Sequence, residues 1–161
     1  VDLDFNNDIH PPNKIDVGER LTLLPLKNEY KIPLTVSGPT FDSIDLKENS
    51  IIVHFKNSKR GLMIGRSLVG EVKEEKNGQL FGFELADSGG VWHPAEAIIK
   101  NESVVVSSNG IKNPKAVRYA CHPQAPQGRQ WNLYNKEALP ASPFCSDWSL
   151  MKYDPKKNPM P

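Results

Sequence analysis

The sequence predicts a mainly β protein, a β-sandwich or jelly-roll-like domain, preceded by a short front segment of α/β character. Three observations carry this. Fourteen prolines and eleven glycines punctuate 161 residues, which favours short strands and turns over long helices. Most apolar runs alternate with a period of two. The one stretch with helical spacing stands at the front, apart from the strands.

In chain order, Val1-Asp2-Leu3-Asp4-Phe5 reads as a strand end running into a loop at Asn6-Asn7-Asp8. Pro11-Pro12 suits a first helical turn. Residues 13–24 then read as a helix, with Ile15, Leu21 and Leu24 on one face and Lys14, Asp16, Glu19 and Arg20 elsewhere. Pro25 is expected to end or kink it.

Strands are expected at 43–46, 50–55, 70–74, 80–85, 96–100, 103–107 and 116–120, with an apolar stretch at 62–64. Lys76-Asn77-Gly78 reads as a hairpin turn joining 70–74 to 80–85. Asp87-Ser88-Gly89-Gly90 and Asn109-Gly110 read as further turns. Beyond Cys121 the chain is rich in Pro, Gln and Asn, and from Pro155 it is expected to fray. A boundary near residue 35 divides the reading. Residues 1–35 are expected to be the last loop and helix of an α/β domain, and 36–161 the β-sandwich with an irregular tail.

Twenty basic residues balance nineteen acidic ones, so no electrostatic footprint for nucleic acid or an anionic membrane is present. No apolar run approaches the roughly 20 residues of a membrane-spanning helix. Cys121 and Cys145 form no Cys-x-x-Cys and have no histidine at ligand spacing, which argues against structural zinc. One disulfide and two free thiols are both compatible with their placement. The start at Val1, without an initiator Met, reads as a processed chain or a boundary inside a longer one.

The strongest chemical cluster is Asp8-Ile9-His10-Pro11-Pro12-Asn13-Lys14. A histidine just before a helix N-terminus suits a general base, because the positive end of the helix dipole disfavours imidazolium. A carboxylate beside Nδ1 would fix the tautomer and stabilise the imidazolium formed on proton abstraction.

Together with Asp2-Leu3-Asp4, Val17-Gly18-Glu19-Arg20-Leu21, Trp92 with Ala95, and Pro114-Lys115-Ala116-Val117-Arg118-Tyr119-Ala120, this block resembles the final portion of sialate O-acetylesterase-like carbohydrate esterases of the SGNH-hydrolase superfamily. Asn132-Leu133-Tyr134-Asn135 and Leu139-Pro140-Ala141-Ser142-Pro143-Phe144 extend the likeness to nearly the whole chain.

The resemblance implies a secreted, periplasmic or lysosomal enzyme. It would remove acetyl groups from sialic acid, or from a plant polysaccharide such as xylan or xyloglucan, through a serine nucleophile and with no cofactor. His10 would be the catalytic base. Asp8 is the first candidate to orient it and Asp4 the second, because Asn7 stands where the superfamily often has Asp three residues before the histidine. A Ser–His dyad oriented by a backbone carbonyl stays open, and Asp2 matches a structural strand-end aspartate.

The serine itself is expected on a segment or chain outside these residues. Gly65-Arg66-Ser67 is not at a strand-to-helix turn, so Ser67 reads as a loop serine. Cys121 replaces the family's common Trp, Leu3-Asp4 departs from Leu-Gly-Asp, and Pro25 falls where the family helix continues. None of these departures touches His10; they bear on substrate preference.

Other candidates read as structural. His54 belongs to a strand, His93 to a turn after Trp92, and Trp131, Tyr134 and Trp148 to the packing of the tail. Nothing singles out His122. Asn101-Glu102-Ser103 is a glycosylation acceptor sequence, relevant only in a eukaryotic secretory host. The rival to the esterase reading is a non-catalytic carbohydrate-binding β-sandwich module. The front helix separates the two, since its apolar face must bury against something.

Overall fold

The computed structural model describes residues 2, 3, 10, 13–122, 125 and 130–151. They form one α-helix and eleven strands in three antiparallel sheets. The helix α1 is Lys14–Asn28. The strands are β1 Thr40–Leu46, β2 Ser50–Lys56, β3 Leu62–Leu68, β4 Glu71–Glu74, β5 Phe83–Ala86 and β6 Trp92–Pro94. They continue with β7 Glu96–Lys100, β8 Ser103–Ser107, β9 Ala116–Tyr119, β10 Leu133–Asn135 and β11 Phe144–Cys145. The protein is mainly β and consistent with a β-sandwich.

One sheet runs β1-β2-β8-β7, a second β11-β9-β5-β6, and a third β10-β3-β4. Alternation builds the core. β2 buries Ile51, Val53 and Phe55, and β8 buries Val104 and Val106, each with half-buried residues between. Phe83, Leu85, Val117, Tyr119 and Phe144 of the second sheet join the same cluster, with Leu62 and Leu133 of the third. Phe144 is its aromatic hub, stacked on Phe41 at 4.8 Å and edge-on to Phe55 at 5.7 Å.

Four expectations need correction. First, α1 does not end at Pro25 but runs through it to Asn28. Proline costs a helix its own N–H bond, yet the Pro25 carbonyl still accepts from the Glu29 N–H at 2.9 Å. Second, the 76–78 turn does not join the flanking strands. β4 pairs with β3, and β5 pairs with β9 and β6. The Asn132 side chain holds the intervening segment, its Oδ1 accepting from Phe81 N–H and its Nδ2 donating to the Gln79 carbonyl. Third, Ser67 lies within β3 and not in a loop. Fourth, Trp92-His93-Pro94 is a short strand and not a turn.

Gly82 is required where the chain bends before β5. Its φ of +90° is left-handed, and a Cβ there would lie 2.6 Å from the Trp131 ring.

Candidate functional site at the helix–sheet junction

His10 lies at a bend, exposed to solvent, three residues before the α1 N-cap Asn13. Asp8 and Asp4, the two candidates for orienting it, lie outside the described residues.

Both ends of the segment that carries His10 are fixed to the third sheet. At its start, the Asp2 carboxylate is 1% exposed. It accepts two parallel hydrogen bonds from the Arg20 guanidinium, both 2.7 Å, and a third from the Tyr134 hydroxyl at 2.7 Å. Burial pushes the Asp2 carboxyl up, but the bonds from Arg20 and Tyr134 outweigh it and hold the carboxyl below the usual range. Burial likewise lowers Arg20, and the Asp2 bond reverses that and raises it. The Tyr134 hydroxyl is pushed far up, by burial first and then by the Asp2 charge.

At the end of the segment, Asn13 caps α1. Its side chain accepts from Asp16 N–H at 3.1 Å and donates to Asp16 Oδ2 at 2.7 Å. Asp16 then reaches the β3–β4 turn, where Gly70 N–H donates to its Oδ1 at 2.7 Å. The Ser67 hydroxyl points to Asp16 Oδ2 at 3.4 Å. Ser67 is therefore a buried joint between strand and helix. Asp16 sits in the first turn, where the helix dipole favours a carboxylate.

Beside this junction a cleft of about 760 Å³ opens. Asp2, Leu3 and Asn13 line it from the two ends of the His10 segment, with Arg66 and Ser67 from β3 and with Gln79, Phe81 and Gln130. One aromatic ring, Phe81, with amide and guanidinium groups suits a hydroxylated ligand.

The helix presents a different face to solvent. Leu21 is 67%, Ile15 56% and Leu24 51% exposed. The apolar face foreseen in the sequence is therefore uncovered in this chain, and α1 is tied to the rest of the fold through Asp16 to the β3–β4 turn and through Arg20 to Asp2.

Sequence reasoning missed Arg20 and Tyr134. Both lie inside quoted blocks, Val17-Gly18-Glu19-Arg20-Leu21 and Asn132-Leu133-Tyr134-Asn135, but nothing in one sequence pairs them with Asp2.

The remaining histidines have partners away from the junction. His54 lies 3.2 Å from Asp45, and His93 lies 2.8 Å from Asp87. His122 shares Glu84 with Arg118, which also stacks over Trp92 at 4.5 Å. Burial raises the Glu84 carboxyl, and the Arg118 bonds and charge override this to lower it. Cys121 and Cys145 are free thiols that donate to the carbonyls of Phe144 and Asp147. Among the described residues no three His, Cys, Asp or Glu side chains are grouped to hold a metal ion, and no helix is long and apolar enough to cross a membrane.

No family model matches the chain, and no curated protein matches it. Among solved structures, it is similar to the crystal structure of a carbohydrate acetylesterase from Xanthomonas citri, with a TM-score of 0.74 and 33% sequence identity. The match covers 91% of this chain and 31% of that one, so the chain spans less than a third of the acetylesterase it resembles.

Proposed function

We propose that this chain is part of a carbohydrate O-acetylesterase, related to the sialate O-acetylesterase-like SGNH enzymes, and that it supplies the catalytic histidine. The observation that carries the reading is the 33% identity to a carbohydrate acetylesterase over 91% of this chain, combined with coverage of 31% of that enzyme. The uncovered face of α1 supports it. Three large apolar side chains there call for a partner surface, and the rest of an α/β domain is such a surface. A free-standing binding module accounts for the β-sandwich but gives that helix face nothing to pack on. On this reading residues 1–35 close the α/β domain and 36–161 brace it.

A serine on the remaining segment attacks the acetyl carbonyl while His10 Nε2 takes its proton. The tetrahedral intermediate collapses to an acyl-enzyme, and His10 protonates the departing sugar alkoxide. His10 then activates water, and acetate leaves. Asp8 is our first choice for orienting the ring. The substrate class is an acetylated sugar, either sialic acid or a plant polysaccharide, in an enzyme of a secreted, periplasmic or lysosomal compartment.

Labelling the full-length protein with a fluorophosphonate tests the division of labour. The labelled serine is expected outside these 161 residues. A label on a serine within them would overturn the assignment.

A further inference from the structure

We propose that Asp2, Arg20 and Tyr134 form a clamp that positions His10, so that the β-sandwich acts on the proposed chemistry through the ends of the histidine segment. The inference rests on the reading of His10 as base.

The geometry has two parts. Asp2 stands eight positions before His10 and Arg20 ten positions after it, and the two meet in a bidentate pair. The chain between them is thereby closed into a loop, with His10 near its middle. Closing a loop at a charge-assisted fork fixes direction as well as distance.

Tyr134, in β10, then ties that closed loop to the sheet through the same carboxylate. Asp16 makes a second tie, to Gly70 at the β3–β4 turn. Moving Asp2 or α1 away from the β3–β4–β10 sheet thus breaks at least one of these bonds. Asp2 also lines the 760 Å³ cleft, but its two carboxylate oxygens are engaged by Arg20 and Tyr134, so the three side chains act through His10 and not on substrate. They are positioning residues, and their cost when removed is a misplaced imidazole, since displacement of about 1 Å can lower a rate by about 100-fold.

The test uses the full-length enzyme with four variants. Tyr134→Phe keeps the ring and removes one bond to Asp2, whereas Arg20→Lys keeps the charge and removes the fork. Val104→Ala destabilises the core of the β1-β2-β8-β7 sheet and serves as the control, and His10→Ala reports on the underlying reading. Acetate release is measured well below every melting temperature, and the His10 imidazole resonances are recorded by NMR.

Tyr134→Phe and Arg20→Lys are expected to lower kcat by about 10-fold or more with KM unchanged, and to shift the His10 resonances. Val104→Ala should change neither. If His10→Ala is inactive but Tyr134→Phe and Arg20→Lys keep wild-type kcat and His10 resonances, the clamp fails alone. If His10→Ala retains activity, the reading of His10 fails and the clamp with it.

Discussion

The Tyr134 hydroxyl donates to Asp2 at 2.7 Å across 132 residues of sequence, with both groups buried. Arg20 completes the junction from α1. One carboxylate thereby joins the front of the chain, the helix and the third sheet. Such a joint is stable while the carboxylate is charged and doubly paired, and costly when one partner is lost.

Acid stability follows from that pairing. The Asp2 carboxyl is held below its ordinary value, so the fold favours the ionised form. Its contribution is fully present above about pH 4, the unfolded carboxyl range, and is lost as pH falls through the depressed folded value. Asp2→Asn leaves Arg20 without its charge partner and is expected to cost about 3 kcal/mol at pH 7. Urea unfolding at pH 7 and pH 3 checks the sign: the gap between wild type and variant should narrow at pH 3. An equal gap at both would contradict the pairing.

The uncovered helix face makes an asymmetric prediction. Leu21→Arg and Leu24→Arg should change the stability of the isolated chain by less than about 0.5 kcal/mol, as surface substitutions do. In the full-length protein each should cost about 1.5–3 kcal/mol, the worth of a buried leucine. Thermal unfolding of both forms decides, and equal small effects in the two would mean that nothing covers α1.

Gly82→Ala should be among the most damaging small changes. It combines a left-handed φ with a Cβ driven into the Trp131 ring. Strain at such a position costs about 1–3 kcal/mol, before any repacking of the indole. A melting temperature within a degree of wild type would show that the bend before β5 is not as described.

The two thiols should differ in reactivity. Burial raises both above the ordinary thiol value, and Cys145 is buried whereas Cys121 is half-exposed. A thiol reagent at neutral pH is expected to modify Cys121 slowly and Cys145 only on unfolding, with two thiols counted in denaturant. A count of zero would mean the disulfide that the sequence left open.

Much of the architecture was legible because it is local. The β7–β8 hairpin is written in the alternation of Val104 and Val106 and ends where expected, and β2, written in Ile51 and Val53, runs one residue past the expected end. What escaped was decided at long range. β5 pairs with β9 rather than β4, and Asn132, far along the chain, holds the backbone groups of Gln79 and Phe81 between β4 and β5. β6 escaped because it is three residues long and ends in proline. At the site, the position of His10 before a helix and the apolar stripe of α1 could be read from residue order, whereas the exposure of that stripe could not. The clamp could not, since Asp2, Arg20 and Tyr134 meet only once the sheet has formed.

The most direct test of the account is acetate release by the full-length protein carrying His10→Ala. With His10 as base, activity on an acetylated sugar should fall by about 10⁴-fold or more, with the melting temperature nearly unchanged because the side chain is exposed. Retention of more than a few per cent of wild-type activity would contradict the central claim.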